Sequence, residues 1–165
     1  MEYEQLKAYF VTPVLKGLVA WSQEAEDLMI GTFAQESGCG RYVKQLTGTA
    51  LGFWQMEPAN HDDIWCNYLP NNTRLAYVLL NEVCKLAIKP TADLLLDNIR
   101  YACSMARIHY MRVREPIPTT IEEQATYWKR YYNTQKGKGT TDDYISNYAK
   151  YTNKKYIKQN TSKDK

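Results

Sequence analysis

The chain has 165 residues, 44% of them apolar, with a formal net charge of +3. That is one domain's length, with enough apolar material for a core. The charge is uneven: residues 150–165 hold six lysines and one aspartate, which leaves the rest at −2, and so nearly neutral a body argues against a nucleic-acid-binding surface.

No apolar run reaches the roughly 18 residues of a bilayer span, so no stable membrane insertion is expected. The start, Met1-Glu2-Tyr3-Glu4-Gln5, lacks the basic and apolar regions of a secretory signal. The sequence therefore predicts synthesis in a cytoplasm and, for any target outside it, delivery by other means. Residues 1–150 read as one domain and 151–165 as a Lys-rich, solvated tail. The four cysteines, Cys39, Cys66, Cys84 and Cys103, have no C-x-x-C spacing, which argues against a zinc site. Three disulfide pairings are open in principle; the default is free, mostly buried thiols. Cys39 is of interest because it follows Glu36 by three residues. There are 14 tyrosines and four tryptophans, side chains whose apolar bodies and polar handles suit a core rim or a cleft for a polar polymer.

In chain order, 4–11 and 14–21 read as a helix bent or broken at Pro13, with Leu6, Phe10, Val14, Leu18 and Trp21 on one face. Ser22 is a candidate N-cap for a helix over 23–37, with Glu24, Glu26 and Asp27 in its first turns. Ala25, Leu28, Met29, Thr32 and Phe33 recur there at i, i+3, i+4, i+7 and i+8. Glu36 continues that series, so its carboxyl is expected on the core side, where desolvation raises a carboxyl pKa toward the range of a general acid. Gly38 fits the left-handed position that ends such a helix. The stretch 38–52 reads as an irregular loop with a helical turn at 41–46, followed by a short extended piece at 52–58. Gln55 there offers an amide suited to sugar hydroxyls and acetamido groups.

A short helix is expected over 60–68 with Asn60 as its cap, then a turn at Pro70-Asn71-Asn72. A helix over 73–88 places Leu75, Val78, Leu79, Val83 and Leu86 inward. A single longer helix over 92–114 is expected, with Leu95, Leu96, Ile99, Cys103, Ala106 and Tyr110 on one face, ended by Pro116 and Pro118. Thr120-x-x-Glu123 is a capping box for 121–133, where Ile121, Ala125, Trp128 and Tyr132 share a face. Gly137 and Gly139 interrupt the chain before a last helix at 141–151. No internal repeat or strand hairpin is evident.

Four of these places, in order, resemble the motifs of lytic transglycosylases of the goose-type lysozyme-like superfamily. They are Glu36-Ser37 at a helix end; Thr49-Ala50-Leu51-Gly52-Phe53-Trp54-Gln55, similar to a Gly-Ala-x-Gly-Leu-Met-Gln segment; Asp97-Asn98-Ile99 on a long helix; and Tyr132-Asn133 before glycines, similar to Ala-Tyr-Asn-x-Gly. The chain departs from the pattern at Thr49, at Phe53-Trp54, at Tyr131 and at Ala102, where the family often has glycine. The resemblance implies a mainly α, lysozyme-like domain with an active-site cleft between the Glu36 helix and the loops near 47–57 and 132–139. It implies no cofactor, no metal, and peptidoglycan glycan strands as the partner. Glu36 would protonate the bond between N-acetylmuramic acid and N-acetylglucosamine, then take the proton of the muramoyl C6 hydroxyl to close a 1,6-anhydro ring, an intramolecular attack. Ser37, Trp54 and Gln55 would hold substrate, Tyr132 would bond to the acid or the reacting sugar, and Asn133 would fix its loop.

Two alternatives stay open. A hydrolytic lysozyme of the inverting kind needs a second carboxylate roughly 6.5–9.5 Å from the first, and Glu57, Asp62 and Asp63 are candidates, with His61 beside them. A protein of another class, a non-catalytic virion or tail component, would bind peptidoglycan and other virion proteins through the same fold. The divergence is that of a phage-encoded member, which implies a monomer acting from the virion or in the host periplasm after release.

Overall fold

Pro13 has no amide hydrogen, and its ring presses on the carbonyl four residues back. The chain accommodates it without breaking. In the computed structural model, which describes residues 1–133 and 138–153, α1 (Tyr3–Leu6) passes through a π-helical turn (Lys7–Val11) directly into α2 (Thr12–Gly17). The wider turn ahead of the proline takes up the ring where a bend or a break was expected. The path then reverses at Val19, whose φ is 53°. Trp21 consequently leaves the predicted apolar face and is 47% exposed, while Leu6, Val14 and Leu18 are buried as expected.

Helix α3 (Gln23–Glu36) is the centre of the molecule. Ser22 caps it, its Oγ accepting from the Ala25 amide at 3.1 Å. The predicted face, Ala25, Leu28, Met29, Thr32 and Phe33, is buried. So are Ile30, Gly31 and Ala34 beyond it, because α9 (Thr141–Thr152), α8 (Ile121–Trp128) and α7 (Ile99–Met111) pack around the helix. A helix covered on all sides needs small residues where neighbours come closest. At Gly31 a β-carbon would lie 2.1 Å from the Tyr144 hydroxyl of α9, and that hydroxyl donates to the Leu28 carbonyl at 3.2 Å.

After α3 the chain passes through left-handed Gly38, Cys39 and Gly40. The helical turn expected at 41–46 is absent. Instead, Lys44 bridges to Leu51 and Leu51 to Met56, and the four residues 52–55 form a tight turn closed by paired amide–carbonyl bonds of 2.9 Å between Leu51 and Met56. Among the described residues these bridges are the extended pairing; the rest is mainly helical.

Helix α4 (Pro58–Asp63) starts at Pro58, not at Asn60, since proline's fixed φ and missing donor suit the first helical position. A π-turn (Ile64–Tyr68) extends it. The helix expected over 73–88 is α5 (Thr73–Tyr77) and a π-turn (Val78–Cys84), ended by Lys85 at φ 56°, and Leu86 lies outside the core at 40% exposure. The helix expected over 92–114 is interrupted. Asn98 is extended between α6 (Leu94–Asp97) and α7, and its side chain caps α7 by accepting from the Tyr101 amide at 3.0 Å. Thr120 caps α8 through the Glu123 amide, and a π-turn (Lys129–Asn133) continues it. Thr140 and Asp143 form a reciprocal capping box on α9.

All four cysteines are free, but only Cys103 is fully buried and Cys66 is exposed, so the mostly buried set expected from sequence is corrected. Gly137 and residues 154–165 of the Lys-rich tail lie outside the described residues. No helix among the described residues is long and apolar enough to cross a membrane.

The fit at Gly31 gives a stability test. Gly31→Ala forces a methyl into Tyr144, which is itself fully buried, and should cost about 2–3 kcal/mol. Gly17→Ala, whose new methyl meets nothing within 4 Å, should be neutral or stabilising by up to about 1 kcal/mol through helix propensity. Denaturant midpoints measure both.

Candidate active site

Glu36 is the last residue of α3. The helix carries its side chain past the core and into a cleft of about 510 Å³, shared with Gln35, Gln55, Glu57, His109, Tyr132 and Asn133. The carboxyl is only partly exposed. The indole N–H of Trp128 donates to its Oε1 at 2.8 Å, and the Trp128 ring is fully buried. Desolvation pushes the Glu36 pKa up to about 7, against the opposing pull of the Trp128 hydrogen bond and the Lys129 charge.

Glu26, ten residues earlier on the same helix, behaves in the opposite way although it too is buried, at 1% exposure. Burial pushes its pKa up, but hydrogen bonds from Thr12, Lys7 and Trp21 outweigh this and hold it below the usual value. The Lys7 ammonium lies 3.1 Å away. The number of donors set against the burial of each carboxyl separates the two acids.

The turn at 52–55 contributes Gln55 to the same cleft. Gly52, at φ 73°, admits that turn: a β-carbon there would lie 2.6 Å from the Leu95 carbonyl and 3.2 Å from the Ala102 methyl. Small side chains at 52 and 102 let the turn sit against α6 and α7. Gln55, also left-handed at φ 46°, reaches the cleft while its Nε2 donates to the Gly52 carbonyl at 2.7 Å.

Trp54 does not reach the cleft as a substrate contact. It is 1% exposed and donates from its indole to the Met29 carbonyl at 2.9 Å. Its extra bulk over a smaller apolar residue fills space against Phe33. Ser37 is likewise turned inward and fully buried. Its Oγ donates to the Phe33 carbonyl at 2.6 Å and accepts from the Gly40 amide at 2.7 Å, which makes it the brace of the helix end and corrects the expectation that it holds substrate.

Tyr132 and Asn133 come from the π-turn after α8. Tyr132 donates to the Trp54 carbonyl at 2.8 Å, so its hydroxyl hydrogen is committed to the 52–55 turn. Its ring stacks on Tyr110 at 5.1 Å and meets the His109 ring edge-on, also at 5.1 Å. Burial, then the Glu36 charge, keeps its phenol pKa well above normal. Asn133 accepts from the Lys129 ammonium at 2.7 Å.

Of the candidate second carboxyls, Glu57 alone lines this cleft, its Oε2 bonded by the Thr49 hydroxyl. Asp62 pairs with Lys89 at 2.9 Å and with His61, and Asp63 accepts from Asn67 at 2.6 Å and pairs with Arg112; the Lys89 and His61 contacts hold Asp62, and the Asn67 and Arg112 contacts Asp63, below their usual pKa, and neither lines the cleft. His61 is fully buried, with Nε2 2.6 Å from the Tyr101 hydroxyl, and so belongs to the packing between α4 and α7.

Two site residues escaped the sequence reading, Trp128 in function and His109 altogether. Trp128 shares a helix face with Tyr132 at i, i+4, which was the available signal. His109 carried none. Its Nε2 donates to the Tyr131 carbonyl at 2.8 Å, leaving a buried Nδ1 without a hydrogen-bond partner among the described residues; burial lowers its pKa and so favours the neutral ring. Among the described residues no cluster of His, Cys, Asp or Glu could hold a metal ion.

No protein-family model matches the chain, and comparisons with curated proteins and with solved structures give no match.

A carboxyl raised by burial destabilises the fold where it must ionise. The stability cost is absent below the unfolded pKa of about 4.5 and develops as pH rises through about 7. Glu36→Gln, which never ionises, should therefore match the wild type near pH 4 and exceed it by on the order of 2 kcal/mol at pH 8, after allowance for solvent at the cleft. Paired denaturation curves at the two pH values measure the difference.

Proposed function

We propose that the protein is a peptidoglycan-cleaving muramidase in which Glu36 is the general acid, acting as a lytic transglycosylase. The observation that carries the reading is the Glu36 carboxyl itself: partly desolvated, held by one indole donor, raised to about 7, and opening on a polar cleft. A group of that kind keeps a large share of its protons near neutrality, about half at pH 7, and can deliver its proton to a glycosidic oxygen. The four-motif resemblance supplies the substrate class. Its setting, wall cleavage by a phage protein, rests on that resemblance alone.

In this mechanism a glycan strand lies between the 52–55 turn and the π-turn after α8. Glu36 protonates the leaving oxygen. The conjugate carboxylate then accepts the proton of the muramoyl C6 hydroxyl as that oxygen bonds to C1, releasing the 1,6-anhydro product. Gln55 and Asn133 are the cleft amides suited to acetamido and hydroxyl groups. Tyr132 fixes the spacing of the walls through Trp54. The positive charge developing at C1 meets cleft dipoles and the newly formed Glu36 carboxylate.

Glu57 favours a second reading, hydrolysis, because it shares the cleft with Glu36 and could activate a water. Mass spectra of digested peptidoglycan separate the two. Transglycosylation gives anhydromuropeptides, a loss on the order of 10³-fold in Glu36→Gln, and near wild-type cleavage in Glu57→Gln. Hydrolysis gives reducing-end products and a loss of at least about 10²-fold in Glu57→Gln. In either case cleavage should decline as pH rises above about 7, since the acid must begin protonated. Wild-type protein that binds the wall but releases no muropeptides sinks both readings in favour of a non-catalytic wall-binding protein.

A further inference from the structure

We infer that Lys129 is a positioning residue for Glu36: its ammonium pins Gly139 against the Trp128 ring and so keeps the indole N–H on the acid. The inference rests on Glu36 being the functional acid and names a residue that the motif resemblance does not include.

Lys129 is the first residue of the π-turn that follows α8. Its Nζ donates to the Asn133 side chain and to the Gly139 carbonyl, both at 2.7 Å. One cation thereby ties the cleft-facing end of the π-turn to the backbone just ahead of α9. Gly139 sits where no side chain fits: a β-carbon would lie 2.8 Å from the Trp128 ring and 2.8 Å from the Gln35 amide. Its backbone therefore approaches the benzo end of the indole closely. On another side Tyr144 of α9 packs against the same ring, centroids 5.2 Å apart. Trp128 is thus held between Gly139 and Tyr144, and its N–H meets Glu36 Oε1 at 2.8 Å. Releasing the Gly139 carbonyl frees one side of that clamp.

The charge of Lys129 acts in the same direction as the indole donor, since both favour the Glu36 anion. Other titratable groups around Glu36 are Tyr132 on the π-turn, Tyr110 on α7 and Tyr144 on α9, all held neutral by burial. His109, Glu57 and Lys138 line the rest of the cleft. Lys129 is the cation whose field opposes the desolvation of Glu36.

The test is a titration of the Glu36 side-chain carbon by NMR in the full chain, together with hydrogen exchange at the Trp128 indole. In Lys129→Met the Glu36 midpoint should rise by on the order of half a pH unit or more, and indole exchange should accelerate at least tenfold. Lys129→Arg should restore both toward wild type. Gly139→Ala, which crowds the indole while leaving the Lys129 charge in place, should also raise the midpoint, and it decides the matter if Lys129→Met fails to fold. An unchanged midpoint and unchanged exchange in Lys129→Met, or in Gly139→Ala where that variant decides, would overturn the inference. The titration does not depend on catalysis. Where peptidoglycan is cleaved, the alkaline limb of Lys129→Met should move with the NMR midpoint. A wild type that cleaves nothing removes the muramidase reading and leaves the titration to judge the clamp.

Discussion

The indole N–H of Trp54 donates to the Met29 carbonyl, and the Trp54 carbonyl accepts from the Tyr132 hydroxyl. Through this one residue a loop turn is fastened to the middle of α3 on one side and to the π-turn after α8 on the other. Three segments distant in sequence acquire fixed spacing. The cleft is the space left between them, and Glu36 lies within it because α3 ends there. The arrangement depends on small residues at the crossing points. Gly52 lets the turn approach the Leu95 carbonyl, and Gly31 lets Tyr144 lie on α3. Large aromatic side chains supply the rigidity and glycines supply the clearance. Exchanging either kind changes where the carboxyl sits.

This frame was partly legible in the sequence. Ser22 and Gly38 bound α3 as their chemistry dictates, and the helical spacing that continues to Glu36 placed its carboxyl inward. Thr120 and the helix start near 141 were readable for the same reason: caps are local, and a few residues determine them. The π-turns were not legible. A π-turn arises when tertiary packing makes a widened turn preferable to a break, as ahead of Pro13, and nothing in local propensity announces it. The interruption at Asn98 was hidden likewise. The apolar pattern runs through it, while the asparagine leaves helical geometry in order to cap α7.

The site residues divide along the same line. Glu36, Gln55, Tyr132 and Asn133 line one cleft. Ser37 and Trp54 lie next to site residues in sequence, but adjacency on a helix end or in a tight turn sends neighbouring side chains in opposite directions. Both spend their polar atoms on backbone groups of α3 and the loop after it. Asp62 and Asp63 could be read only as charges near Gln55. The first turns of α4 carry them away from the cleft, toward Lys89 and Arg112. His109 was invisible because its place depends on where α7 meets the π-turn after α8, a contact that no motif encodes.

The contrast between Glu26 and Glu36 bears most directly on chemistry. Both are acids on the buried central helix. Glu26 has a hydroxyl, an indole and an ammonium within reach, and such a group is held as an anion that ties the π-turn at Lys7 and the start of α2 to α3. Glu36 has one indole and a cation engaged elsewhere. A carboxyl with so few donors keeps its proton through burial and needs no second acid to hold it. It can also lose that proton cheaply once an incoming group displaces water and offers a hydrogen bond, because Trp128 already stands ready to stabilise the anion. Scarcity of donors sets the resting state, and one well-placed donor makes the ionised state reachable. That combination is what proton transfer in both directions requires of a single group.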